Sequence, residues 1–203
     1  MNLSGKIALV TGASRGIGEA LAIGLADHGT DVIICDLESE SKGLANTHKQ
    51  IEKTGKKCWS YFLDVTKKSQ IQKMVSDILN DIGSIDILVN NAGILTPTSL
   101  EDIDEETWDS HFEVNTKGVL LMCQSVLPHM REKKFGRIIN IASIAGRQGS
   151  PTQGHYASTK SAVITLTRVL AQEVGDTGIT VNAICPGIIL TEMGKNNLGS
   201  EKE

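Results

Sequence analysis

Lys6-Ile7-Ala8-Leu9-Val10-Thr11-Gly12-Ala13-Ser14-Arg15-Gly16-Ile17-Gly18 passes from a mostly apolar run into a glycine-rich turn and then into helical spacing. Residues 6–11 read as a short buried strand. Beyond the turn, Ile17, Leu21 and Leu25 mark a helix over 16–29 that stops on Gly29. A glycine turn lets the backbone approach a pyrophosphate, and the helix N-terminus faces it with partial positive charge. Gly12, Gly16 and Gly18 give the spacing GxxxGxG rather than GxGxxG. Glycines also serve plain tight turns; the strand before and the helix after are what point to a nucleotide.

Outward from this unit the chain alternates. Strands are expected at 31–36, 57–63, 85–90, 136–142 and 179–185, and helical segments at 40–54, 67–82, 105–131 and 154–174. Six strands separated by helices, without hairpin signals, predict an α/β fold: a doubly wound parallel sheet with helices on both faces. One domain fills 1–193, and the polar residues 194–203 read as a loose tail. In such a sheet ligands bind beyond the carboxyl ends of the strands.

Composition narrows the function. With 20 basic and 24 acidic residues, a net charge of -4 suggests neither nucleic acid nor an anionic membrane as partner. No apolar run approaches the roughly eighteen residues of a membrane span, and the N-terminus lacks the layout of a secretory signal. Cys35, Cys58, Cys123 and Cys185 show no paired spacing and read as small apolar residues of a cytoplasmic protein. The five histidines form no metal-ligand pattern, so no metal is expected.

Two further features carry chemistry. Asp36 ends the second strand, where a carboxylate accepts hydrogen bonds from ribose hydroxyls and repels a 2′-phosphate. A plain strand-terminal aspartate is the alternative, and Arg15 in the turn pulls the other way because it could pair with that phosphate. NAD is favoured and NADP stays open. Tyr156 and Lys160 stand one helical turn apart, thirteen residues or more after Ser143. A phenol with a reference pKa of about 10 needs a neighbouring cation to work as a general acid–base near neutrality.

Thr11-Gly12, Gly16-Ile17-Gly18, Asn90-Asn91-Ala92-Gly93, Asn115, Ser143, the Tyr156/Lys160 pair and Pro186-Gly187 together resemble the short-chain dehydrogenase/reductase family, in register over about 5–193. The resemblance implies a Rossmann-like fold and an NAD(P)-dependent oxidoreductase. Gly12, Ser14, Arg15, Gly16, Ile17 and Gly18 would form the pyrophosphate turn. Asp64 would bind adenine, with Val65 beside it, or else cap the next helix. Asn91, Ala92 and Gly93 would pack along the adenosine side. Asn115 would hold a relay water, or be an ordinary helix asparagine. Ser143, Tyr156 and Lys160 would do the chemistry, Lys160 lowering the tyrosine pKa. Pro186 and Gly187 would lie along the nicotinamide; Ile189 and Thr191 would contact carboxamide and phosphates, unless Thr191 is an N-cap. His155 is expected at the surface or on the pocket wall, and Trp59 and Trp108 in packing.

The resemblance further implies a substrate lid, another helix and a seventh strand after Thr191, which these residues do not contain. A homodimer through the helices at 105–131 and 154–174 is then expected more readily than a tetramer. The leading expectation is interconversion of a small secondary alcohol and its ketone. An NADP-dependent 3-oxoacyl thioester reductase is the alternative within the chemistry. A catalytically impaired nucleotide-binding scaffold is the alternative outside it.

Overall fold

The structure, a computed structural model, describes residues 3–199. In chain order the main elements are β1 (Ile7–Thr11), α1 (Gly16–Asp27), β2 (Asp31–Asp36), α2 (Ser41–Lys53), β3 (Cys58–Phe62), α3 (Lys68–Asp81) and β4 (Ile87–Asn90). There follow α4 (Glu105–Phe112), α5 (Gly118–Lys133), β5 (Gly136–Ile141), α6 (Ala145–Gln148), α7 (Gly154–Glu173), β6 (Ile179–Ile184) and α8 (Glu192–Gly199). The six strands pair in parallel in the order β3-β2-β1-β4-β5-β6. This is the doubly wound order, reversing direction between β1 and β4.

Successive strand residues point to opposite faces, and both faces of the central strands are covered, while the edge strands β3 and β6 keep exposed residues. Leu9, Ile33, Leu88 and Ile138 pack with Ile71 and Ile78 of α3 and Val126 and Met130 of α5. Ala8, Val10, Val32, Ile34 and Val89 pack with Ala22 and Ala26 of α1 and with Leu44 and Ile51 of α2. Burial on both sides is why these strands are apolar throughout instead of alternating. Trp59 packs against the first cluster, and Trp108 stacks beside Phe112 at 4.9 Å.

Two expectations change. The helical region at 105–131 is not uniform: a π-helical turn, Glu113–Lys117, separates α4 from α5. Over 194–199 the expected loose tail is the body of α8; residues 200–203 lie outside the described residues. Thr191 explains the helix. Its hydroxyl accepts from the Gly194 amide at 3.2 Å and its carbonyl from the Lys195 amide at 2.8 Å, which is N-cap chemistry. Among the described residues no helix is long and apolar enough to cross a membrane.

Candidate active site

The glycine turn is built by close approach. Gly12 and Gly16 have φ of +65° and +63°, a region that favours glycine. A Cβ on Gly18 would stand 2.1 Å from the Gly12 carbonyl oxygen and 2.4 Å from Asn91 Nδ2. Asn91 Nδ2 donates to the carbonyls of Thr11 (3.0 Å) and Gly12 (2.9 Å). Thr11 Oγ1 accepts from the amides of Asn91 and Ala92, both at 3.0 Å. The end of β4 is thereby tied to the turn after β1, on either side of the point where strand order reverses. Ile17 is half-buried as α1 begins, and Arg15 at the N-cap makes no side-chain capping bond. These features fit an anionic group at the helix start.

At the end of β2 both oxygens of Asp36 are held by amides, Oδ2 by Ser14 (3.0 Å) and Oδ1 by Leu37 (2.9 Å). Arg15 lies outside, its Nη1 2.9 Å from Glu40 Oε2 and its Nε 3.7 Å from Glu192 Oε2. Thr191 reaches over the turn: a Cβ on Gly16 would meet its Cγ2 at 3.2 Å. Asp64 closes a local turn by accepting from the Thr66 amide (2.9 Å) and hydroxyl (2.8 Å). Val65 is buried against Gly118.

At the other end, Tyr156 and Lys160 project from α7, where Lys160 is 4% exposed. Lys160 Nζ stands 5.6 Å from the tyrosine ring centre and donates to the Ile141 carbonyl at 2.8 Å. Burial lowers its pKa to about 8. Burial also raises the Tyr156 phenol, only partly offset by a hydrogen bond with Ser143. Without a bound cofactor, desolvation of the phenolate is the larger effect on Tyr156. Ser143 Oγ also accepts from the Ala145 amide at 3.1 Å, where α6 starts.

Asn115 sits in the π turn with no exposure. Its Oδ1 accepts from the Ile94 amide (2.8 Å); its Nδ2 donates to the Ile94 carbonyl (3.0 Å) and to Thr159 Oγ1 (3.1 Å). It clamps the loop segment that follows β4 onto α7. Gly93 lies against it, with space for a Cβ only 3.1 Å from Asn115 Oδ1 and 3.5 Å from Lys160 Nζ. After β6 the Pro186 carbonyl accepts from the Ile144 amide at 2.9 Å, which lays this segment beside Ser143. Gly187 has open space where a Cβ would be, and Ile189 is 46% exposed.

His155 departs from expectation. It is fully buried, edge-on to His111 with ring centres 4.2 Å apart, because the face of α7 beside Tyr156 packs on α4. Three participants carry no sequence signal of their own: Glu40 opposite Arg15, Thr159 opposite Asn115, and His111.

The model of the short chain dehydrogenase family matches residues 6–202. The 3-oxoacyl-(acyl-carrier-protein) reductase FabG of Staphylococcus epidermidis is 40% identical over 188 residues, covering 93% of this chain and 77% of the relative. A variant actinorhodin polyketide ketoreductase solved with NADPH superposes with a TM-score of 0.93 at 34% identity, covering 100% of this chain and 78% of that one. NAD+-bound xylitol dehydrogenase superposes at 0.89 with 33% identity, covering 93% and 72%.

Proposed function

The chain belongs to the short-chain dehydrogenase family, whose members are NAD(P)-binding oxidoreductases, and we propose that it interconverts a small secondary alcohol and its ketone with a preference for NAD(H). One arrangement carries the reading: a half-buried phenol hydrogen-bonded to Ser143 with the Lys160 ammonium beside it, in a fold whose glycine turn is flanked by Asp36.

The turn 12–18 holds the pyrophosphate, Asp36 the adenosine ribose, Asp64 and Val65 the adenine, and Asn91–Gly93 the adenosine side. Pro186, Gly187, Ile189 and Thr191 line the nicotinamide half. A bound nicotinamide cofactor supplies hydride to the carbonyl carbon in reduction and takes it from the alcohol in oxidation. In reduction Tyr156 gives its proton to the carbonyl oxygen. Ser143 donates a hydrogen bond to that oxygen as negative charge develops, where such a bond helps most. Lys160 holds nicotinamide-ribose hydroxyls and stabilises the phenolate left behind. Asn115 keeps residue 94 and α7 in place around these groups. The chain works as a homodimer through α4, α5 and α7, whose exposed apolar side chains Trp108, Leu120 and Val169 would meet the partner.

Tyr156→Phe tests the assignment. Cofactor affinity should survive while turnover of small ketones falls at least about a hundredfold, the scale of a lost general acid. Undiminished turnover, or a parent chain that binds cofactor and reduces no carbonyl, rejects the reading; the latter leaves a binding scaffold. The 40% identity to a 3-oxoacyl reductase favours a second reading, which prevails if NADPH and acetoacetyl thioesters are the better substrates.

A further inference from the structure

Resting on the NAD(H) preference above, we infer that Glu40 sets cofactor choice together with Asp36 by holding Arg15, the basic side chain of the phosphate turn, in an ion pair. Arg15 is the sole cation within 11–18, and so the natural partner for a 2′-phosphate arriving at the end of β2. Its guanidinium already faces two carboxylates, Glu40 at 2.9 Å and Glu192 at 3.7 Å. Asp36 cannot turn away, because both of its oxygens are fixed by backbone amides. A 2′-phosphate would therefore meet a fixed carboxylate, a second carboxylate and a cation already neutralised. A ribose diol is uncharged and finds acceptors in the same place.

Local structure keeps Glu40 there. The Glu40 amide donates to the Leu37 carbonyl at 2.9 Å, winding Glu38–Glu40 into a 3₁₀ turn directly after Asp36. Gly43 lets α2 pack on the phosphate turn, since a Cβ there would lie 2.6 Å from the Ser14 carbonyl oxygen. Exposed ion pairs contribute little to folding, so removing this one reads out recognition more than stability.

Fluorescence titrations of NADH and NADPH against the parent chain, Glu40→Gln, Arg15→Gln and the double variant test the assignment. Glu40→Gln should raise the NADPH-to-NADH affinity ratio about tenfold, the scale of one charge-assisted hydrogen bond to the phosphate. Adding Arg15→Gln should erase that increase. An unchanged ratio in Glu40→Gln, or an increase that survives in the double variant, overturns the role of Glu40. A parent chain that prefers NADPH overturns instead the cofactor preference on which the inference rests, whichever way the variants couple.

Discussion

Lys160 carries its charge into a place where burial opposes charge, and this has a measurable signature. Its pKa falls from the usual 10.5 to about 8. Between those values the unfolded chain binds a proton that the folded chain does not, so stability rises with pH across that window. Below about pH 8 the full penalty of the buried ammonium applies, on the order of 3 kcal/mol. Urea denaturation of the parent and of Lys160→Met from pH 7 to 9.5 should show the parent gaining on the variant as pH rises. Parallel curves would mean that Lys160 is not a depressed group. At this scale the sequence is most legible where partners are close in the chain, as in Tyr156 and Lys160 on one helix face. Glu40 with Arg15 and Thr159 with Asn115 are invisible, because pairings between elements depend on how helices pack and not on spacing.

Between elements, His111 is the pin that joins α4 to the loop before it. Nε2 accepts from the Thr96 amide at 3.2 Å, so the proton of the neutral ring sits on Nδ1, which donates to the Thr107 carbonyl at 2.7 Å. The pinned loop continues to Thr98, whose amide donates to the Thr152 carbonyl at 2.8 Å and which pairs with Gln153 just before α7. A second proton on His111 would set two donors against each other at Thr96. Burial, chiefly, lowers the His111 pKa. The unfolded chain therefore takes up protons first as pH falls below about 6.5, and stability drops. His111→Leu should be less stable at pH 7 by about 1–2 kcal/mol, because the Thr96 amide loses its acceptor. Its stability should also fall less than the parent's between pH 6.5 and 5, measured by urea midpoint; equal slopes would clear His111. The elements themselves are largely readable from periodicity, but the π turn is not. An extra residue in a helix leaves the apolar pattern nearly intact, and only Asn115, a poor helix former in a buried position, hints at it.

For the whole molecule, the parallel sheet separates stability from chemistry by sending them to opposite ends. Alternating strands and helices make a doubly wound sheet legible, whereas the order β3-β2-β1-β4-β5-β6 follows from crossovers that periodicity does not encode. Every residue assigned to the site lies toward the carboxyl ends of the strands. At the amino ends Asp86, 1% exposed, joins β1 and α5: Oδ2 accepts from the Ile7 amide at 2.9 Å as β1 begins, and Oδ1 meets Lys133 Nζ of α5 at 2.6 Å. These are charge-assisted bonds to a buried carboxylate, and losing the carboxylate also leaves the Ile7 amide without an acceptor. Asp86→Ala should therefore cost about 3 kcal/mol of folding stability. Because a strand's length lies between Asp86 and the glycine turn, the folded fraction of that variant should bind NADH with the parent's affinity at low temperature. Denaturation midpoints and NADH titrations of the same preparation check both halves. A large loss of affinity with little loss of stability would show that the two ends of the sheet are not separate.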